Sequence, residues 1–198
     1  GNKQKEYEIG KKIDEEKKNL TIKLAEEEND KIRKLGGQRL ADKQDLATAE
    51  FNLEKETSKL KLMQAGAAYV QQMAMTGSDD QTKLAMDKLD AMMKGLDTQW
   101  DIKGAMQTQQ MSMEKQKTLN ESLKKLEANL ALKDQEINKA KKGSELQKTL
   151  KEQRESIVGE INKTNKEIID AKLNSVKAQQ EISKSQMSLA TMSVGESD

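Results

Sequence analysis

The chain has 198 residues, 35% of them charged, with 35 basic against 34 acidic side chains for a formal charge of +1. It contains no proline, cysteine or histidine, and its only aromatics are Tyr7, Phe51, Tyr69 and Trp100. These absences exclude disulfides, thiol nucleophiles, imidazole bases and the usual zinc ligands, and hydrophobic residues at 34% leave too little for a large isolated core.

At ordinary usage a chain this long would hold about ten prolines. Their absence, beside abundant Lys, Glu and Asp, points to long uninterrupted helices. Charges of both signs are interspersed, as in Lys11-Lys12-Ile13-Asp14-Glu15-Glu16-Lys17-Lys18, the pattern of a solvated helix face and not of a basic nucleic-acid patch. No run approaches the roughly 20 apolar residues that cross a membrane. The most apolar stretch, Leu60 to Met75, is interrupted by Lys61, Gln64, Gln71 and Gln72.

The predicted elements are helices over 2–35, 38–76, 79–142 and 145–191, followed by a frayed tail. The first half keeps an eleven-residue rhythm. Leu40, Phe51, Leu62, Met73 and Leu84 form one row, and Ile13, Leu24, Leu35 and Leu46 another. Eleven residues over three turns is about 3.67 per turn, which favours straight or slightly right-handed packing. Gly36-Gly37 is a predicted break, so residues 1–77 are expected to form an N-terminal helical hairpin.

The strongest reversal signal follows at Thr76-Gly77-Ser78-Asp79-Asp80-Gln81. Gly77 terminates one helix, Ser78 with Gln81 fits a capping box, and Asp79 and Asp80 suit the positive end of the next helix. Residues 78–143 then read as a long Met-rich helix. Nine of the eleven methionines fall between Met63 and Met113, including the pair Met92-Met93. Met packs against irregular or changing partners, so this region is either ordinary helical core or an adaptable contact surface. Ala65-Gly66-Ala67-Ala68 reads as a tight helix crossing, and Trp100, between the helix-interior Gly95 and Gly104, as a packing anchor.

A third break lies at Lys141-Lys142-Gly143-Ser144, with Ser144 and Gln147 capping a C-terminal coiled-coil helix in residues 144–198, Gly159 in its interior. The period here is seven. Leu119, Leu126, Ile161, Ile168, Ile182 and Leu189 share one register, and Leu150, Ile157, Ala171, Ala178 and Met192 take the companion position. The shared register turns polar in its middle, at Lys133, Ala140, Gln147 and Arg154. Such residues either fix register within a core or face water inside a hollow tube, where Gln107, Gln109, Gln110, Asn129, Gln179 and Gln180 would also belong.

No phosphate-binding glycine loop, nucleophile elbow or calcium loop occurs. Glu26-Glu27-Glu28 and Asp79-Asp80 are sequence neighbours that do not face each other on a helix, so they read as a solvated face and a helix start. The expectation is a non-enzymatic protein without metal or cofactor. Its fold is all-α, with long helices in coiled-coil or bundle packing, and stripes such as Leu40/Phe51/Leu62 and Leu119/Leu126/Ile161/Ile168 are expected to bury against further copies in an oligomeric tube or bundle.

In its Pro-free helices, with eleven-residue then seven-residue periods over about residues 9–192 and Gln/Met/Ala-rich stretches, the chain resembles the DNA-pilot proteins of small icosahedral phages and the internal virion (ejection) proteins of short-tailed phages. The resemblance lies in pattern and includes no family-specific motif. The apolar Gly/Ala-rich N-terminal segment of many pilot proteins is missing. What the resemblance implies is a virion protein that forms or lines a DNA-ejection conduit, with other virion proteins as partners and DNA only as passing cargo. The alternative is a coiled-coil adaptor or secretion-system component, cytoplasmic or part of an extracellular assembly, that docks a partner or a membrane through its Met-rich centre.

Overall fold

The computed structural model describes the backbone of residues 1–197, and the side chains of all of these except 21, 22, 25, 26, 28–33, 36 and 193–197. The fold is all-α, with no strand among the described residues. Among the described residues three helices follow in order: α1 (Asn2–Thr76), α2 (Asp79–Lys139) and α3 (Glu145–Ser197). They fall into two compact units, Gly1–Glu50 and Phe51–Asp198.

One expectation is corrected at once. Helix α1 runs through Gly36-Gly37 without a break, so Asn2–Thr76 is one helix and not a hairpin. A Gly inside a helix costs only about 1 kcal/mol relative to Ala, and 75 helical residues absorb that. More telling, Gln38 follows the pair where an N-capping Ser, Thr, Asp or Asn would be needed to start a new helix. Both real turns have that residue. Helix α3 in turn extends to Ser197, past the expected end at 191.

At the first turn the Gly77 amide donates to the Met73 carbonyl at 2.8 Å, closing α1. A β-carbon on Gly77 would lie 2.9 Å from that carbonyl oxygen and 2.5 Å from Gln81 Oε1, which leaves glycine as the residue that fits. The Gln81 amide donates to Ser78 Oγ at 3.3 Å and the Ser78 amide donates to Gln81 Oε1 at 3.2 Å. This is the expected capping box, with Asp79 and Asp80 in the first turn of α2.

The second turn uses related chemistry with one difference. The Gln147 amide donates to Ser144 Oγ at 3.2 Å, but the Gln147 side chain accepts from the Gly143 amide, at 2.9 Å, one residue earlier than in a standard box. Gly143 has φ +78, the left-handed conformation glycine adopts at little cost. Helix α2 ends at Lys139 with Ala140 as its C-cap, so Lys141 and Lys142 lie in the turn and not in the last helical turn where they were expected.

Candidate interface residues

Within residues 51–198, α2 is the element the other helices meet. On one side it packs against the C-terminal third of α1. Phe51 meets Trp100 edge to face, with ring centroids 5.3 Å apart and planes at 74°, an arrangement worth about 0.5–1.5 kcal/mol beyond burial. Trp100 is 7% exposed, and Lys103 Nζ sits 4.5 Å from its ring centroid. Gly104 lies beside the Phe51 ring, where a β-carbon would make ordinary van der Waals contact at 3.4 Å. Trp100 is therefore a packing anchor, built between two residues of α1 and α2 that the sequence separates by about fifty positions.

Nearer the turn, Lys59 Nζ pairs with Asp97 Oδ1 at 2.7 Å. That hydrogen bond, and the charges of Asp97, Glu56 and Asp101, raise the Lys59 pKa above its ordinary 10.5, against an opposing desolvation effect. The stability linked to the Lys59 proton is present below the unfolded value and is lost as pH rises through the folded one, so it does not change through the neutral range. Closer still to the turn, a β-carbon on Gly66 would overlap the Leu89 side chain. Gly66 thus sits at a close approach to α2, while Ala65, Ala67 and Ala68 are exposed.

Burial follows the eleven-residue rhythm on both helices. Phe51, Leu62 and Met73 are half-buried on α1, and Leu89, Met93, Leu96 and Gly104 are half-buried on α2, with Ala85 and Trp100 buried. The step of eleven does not survive the turn. Leu84 is 68% exposed while its neighbour Ala85 is 5% exposed, because Gly77 and Ser78 leave the helix and restart the phase. Met92 is likewise turned outward, 53% exposed, beside the half-buried Met93. Leu40, in the first unit, is half-buried.

On its other side α2 packs against α3. Trp100 meets α1 and Gln109 meets α3; nine residues is about two and a half turns, which puts the two contacts on opposite faces. Gln109 Nε2 donates to Gln179 Oε1 at 3.0 Å, and Arg154 Nε donates to Asp134 Oδ1 at 2.6 Å. In both pairs the residue numbers add to the same total, so one antiparallel register holds along the whole contact.

The seven-residue seam of α3 is its buried face. Leu150, Thr164, Ile168, Ala171, Ala178, Ile182 and Ser185 are buried, with Ile157, Ile161 and Leu189 half-buried between them. Opposite, Leu119, Leu123, Leu126, Leu130 and Ile137 of α2 are half-buried. Two buried threonines are satisfied locally: Thr164 Oγ1 donates to the Glu160 carbonyl at 2.8 Å, and Thr98 Oγ1 to the Lys94 carbonyl at 3.0 Å.

The polar middle of the register acquires a simple explanation. Ala140 and Gln147 cap the two helices at the second turn, Lys133 pairs with Glu136 at 3.3 Å, and Arg154 crosses to Asp134. These residues bracket a reversal. Gln109 and Gln179, grouped in the sequence as lumen candidates, join α2 to α3. The signal was present in part: Leu119 and Leu126 on one side and Ile168 and Ile161 on the other lie almost symmetrically about Gly143.

What the helices leave uncovered is as informative. Met92, Met106 and Met113, on one side of α2, are 53%, 54% and 61% exposed. In the first unit, Ile9, Ile13, Leu20, Leu24, Leu35 and Leu46 are between 47% and 61% exposed. Among the described residues no side chain is fully buried, no group of three or more metal-ligating side chains converges, and no helix is long and apolar enough to cross a membrane. No family model, curated protein or solved structure matches the chain.

Proposed function

We propose that this chain is a structural, non-enzymatic subunit of a homo-oligomeric helical assembly, in the specific form of a phage virion protein that forms or lines a DNA-ejection conduit. One quantity carries the oligomeric part of this reading. The chain alone presents 15249 Å² of accessible surface, against about 9,400 Å² for a compact monomer of 22.2 kDa. That surface includes the exposed Ile and Leu of α1, and apolar rows of that length mark contact surfaces. The α2–α3 pair, with its seam at steps of three and four, reads as an antiparallel coiled coil that stiffens each subunit. The conduit rests on the resemblance to pilot and ejection proteins, and DNA in it would be cargo and not a ligand, in keeping with the near-zero net charge.

The exposed row Met92, Met106 and Met113 favours a second reading, an adaptor that docks a partner helix on this side of α2. Electron microscopy of the purified protein separates the two. The conduit reading expects elongated particles with a central channel in end view; isolated thin rods at every concentration would contradict it and leave the adaptor.

A further inference from the structure

We infer that the N-terminal half of α1 is where two copies of this chain meet, laid parallel and in register along the row Ile9, Ile13, Leu20, Leu24, Leu35 and Leu46. The inference rests on the homo-oligomer reading and supplies the surface that reading lacks, because the seven-residue seam of α3 is already occupied by α2 of the same chain.

The geometry of the row comes first. Ile9 and Leu20 lie eleven residues apart, as do Ile13, Leu24, Leu35 and Leu46. At about 3.67 residues per turn the two lines run about 33° apart; the first ends at Leu20, its next steps being Lys31 and Asp42, and the second continues along the helix to Leu46, for roughly 50 Å. All six side chains are exposed. An apolar stripe this narrow seats one helix; a helix lying on a membrane surface needs a much wider apolar face. A straight partner must also carry the eleven-residue period over the same length, and a second α1 does so by construction.

Charge then selects orientation. The line beside the stripe on one edge is Lys5, Glu16, Glu27 and Gln38, and on the other edge Glu6, Lys17, Glu28, Arg39 and Glu50. In a parallel pair in register, one edge of each copy faces the other edge of its partner at nearly equal height. Lys5 then meets Glu6 and Glu16 meets Lys17, with Glu27 and Glu28 the only like-charged step. In an antiparallel pair that overlaps the full stripe, each edge faces itself. Lys17 then meets Arg39, Glu6 meets Glu50, and Glu27 and Glu28 each meet their own copies, so every charged step is repulsive. Like charges brought together across an interface disfavour that arrangement.

The chain has no cysteine, which makes the test direct. Ile13→Cys, oxidised by air with a copper catalyst, is expected to become a disulfide-linked dimer almost completely, whereas Met75→Cys, at an 81% exposed position outside the stripe, is expected to remain unlinked. In parallel, Leu20→Asp with Leu24→Asp is expected to reduce the solution mass at least twofold, since both residues are exposed and the α2–α3 contact is untouched. If the wild type is an oligomer, yet Ile13→Cys does not cross-link and the double variant keeps its full mass, the stripe is not the contact and the inference fails while the homo-oligomer reading stands. A wild type that is monomeric at every concentration overturns both.

Discussion

Replacing Trp100 with alanine is expected to cost about 3–5 kcal/mol of stability, the usual range for removing a buried Trp or Phe. The indole is 7% exposed and is the partner of Phe51 across the α1–α2 contact. Its loss leaves the Phe51 ring without its edge-to-face partner. With a urea dependence of 1–3 kcal/mol per molar, the unfolding midpoint should fall by about 1–5 M. Tyr7→Ala, at a 72% exposed position, should stay within about 0.5 kcal/mol of the wild type. Trp100→Phe should recover part of the loss, because an edge-to-face ring pair remains possible. A Trp100→Ala midpoint equal to that of Tyr7→Ala would remove the anchor from this account.

The second large effect is expected on α3. Ile168 and Ile182 are 6% and 4% exposed, and truncating either to alanine should cost about 2–5 kcal/mol. Ile169, one position away, is 63% exposed and serves as the internal control, with a change of about 0.5 kcal/mol or less. The double variant Ile168→Ala/Ile182→Ala should release α3 preferentially. Hydrogen exchange would then show α3 amides losing protection while those flanking the first turn, between Met73 and Thr82, keep theirs. Equal loss throughout, or no difference between Ile168 and Ile169, would mean that the seam does not hold α3 against α2.

Much of this architecture was legible because helix physics is local. The absence of proline predicts long helices, and Ser78/Gln81 and Ser144/Gln147 mark both true turns through capping chemistry confined to four residues. The Gly36-Gly37 expectation failed for an equally local reason: glycines permit a turn but do not require one, and no capping residue follows them. The periods were legible as well, since the eleven-residue row is half-buried from Phe51 to Met73 and the seven-residue seam is the buried face of α3.

What the periods did not disclose was the identity of each partner. Apolar spacing on Ile168 and Ile182 says that a helix covers them, and it is silent on whether that helix belongs to the same chain. The antiparallel register became visible only through long-range pairs, Gln109 with Gln179 and Asp134 with Arg154. Leu84 illustrates the same limit in small. Its row was extrapolated across a turn that resets helical phase, and the buried position is Ala85.

The central claim is that one chain is not a finished particle. Its direct test is the solution mass by light scattering, with circular dichroism on the same sample. The account predicts a highly helical, discrete oligomer whose mass is a multiple of 22.2 kDa. A helical species that stays at 22.2 kDa across the accessible concentration range would contradict it.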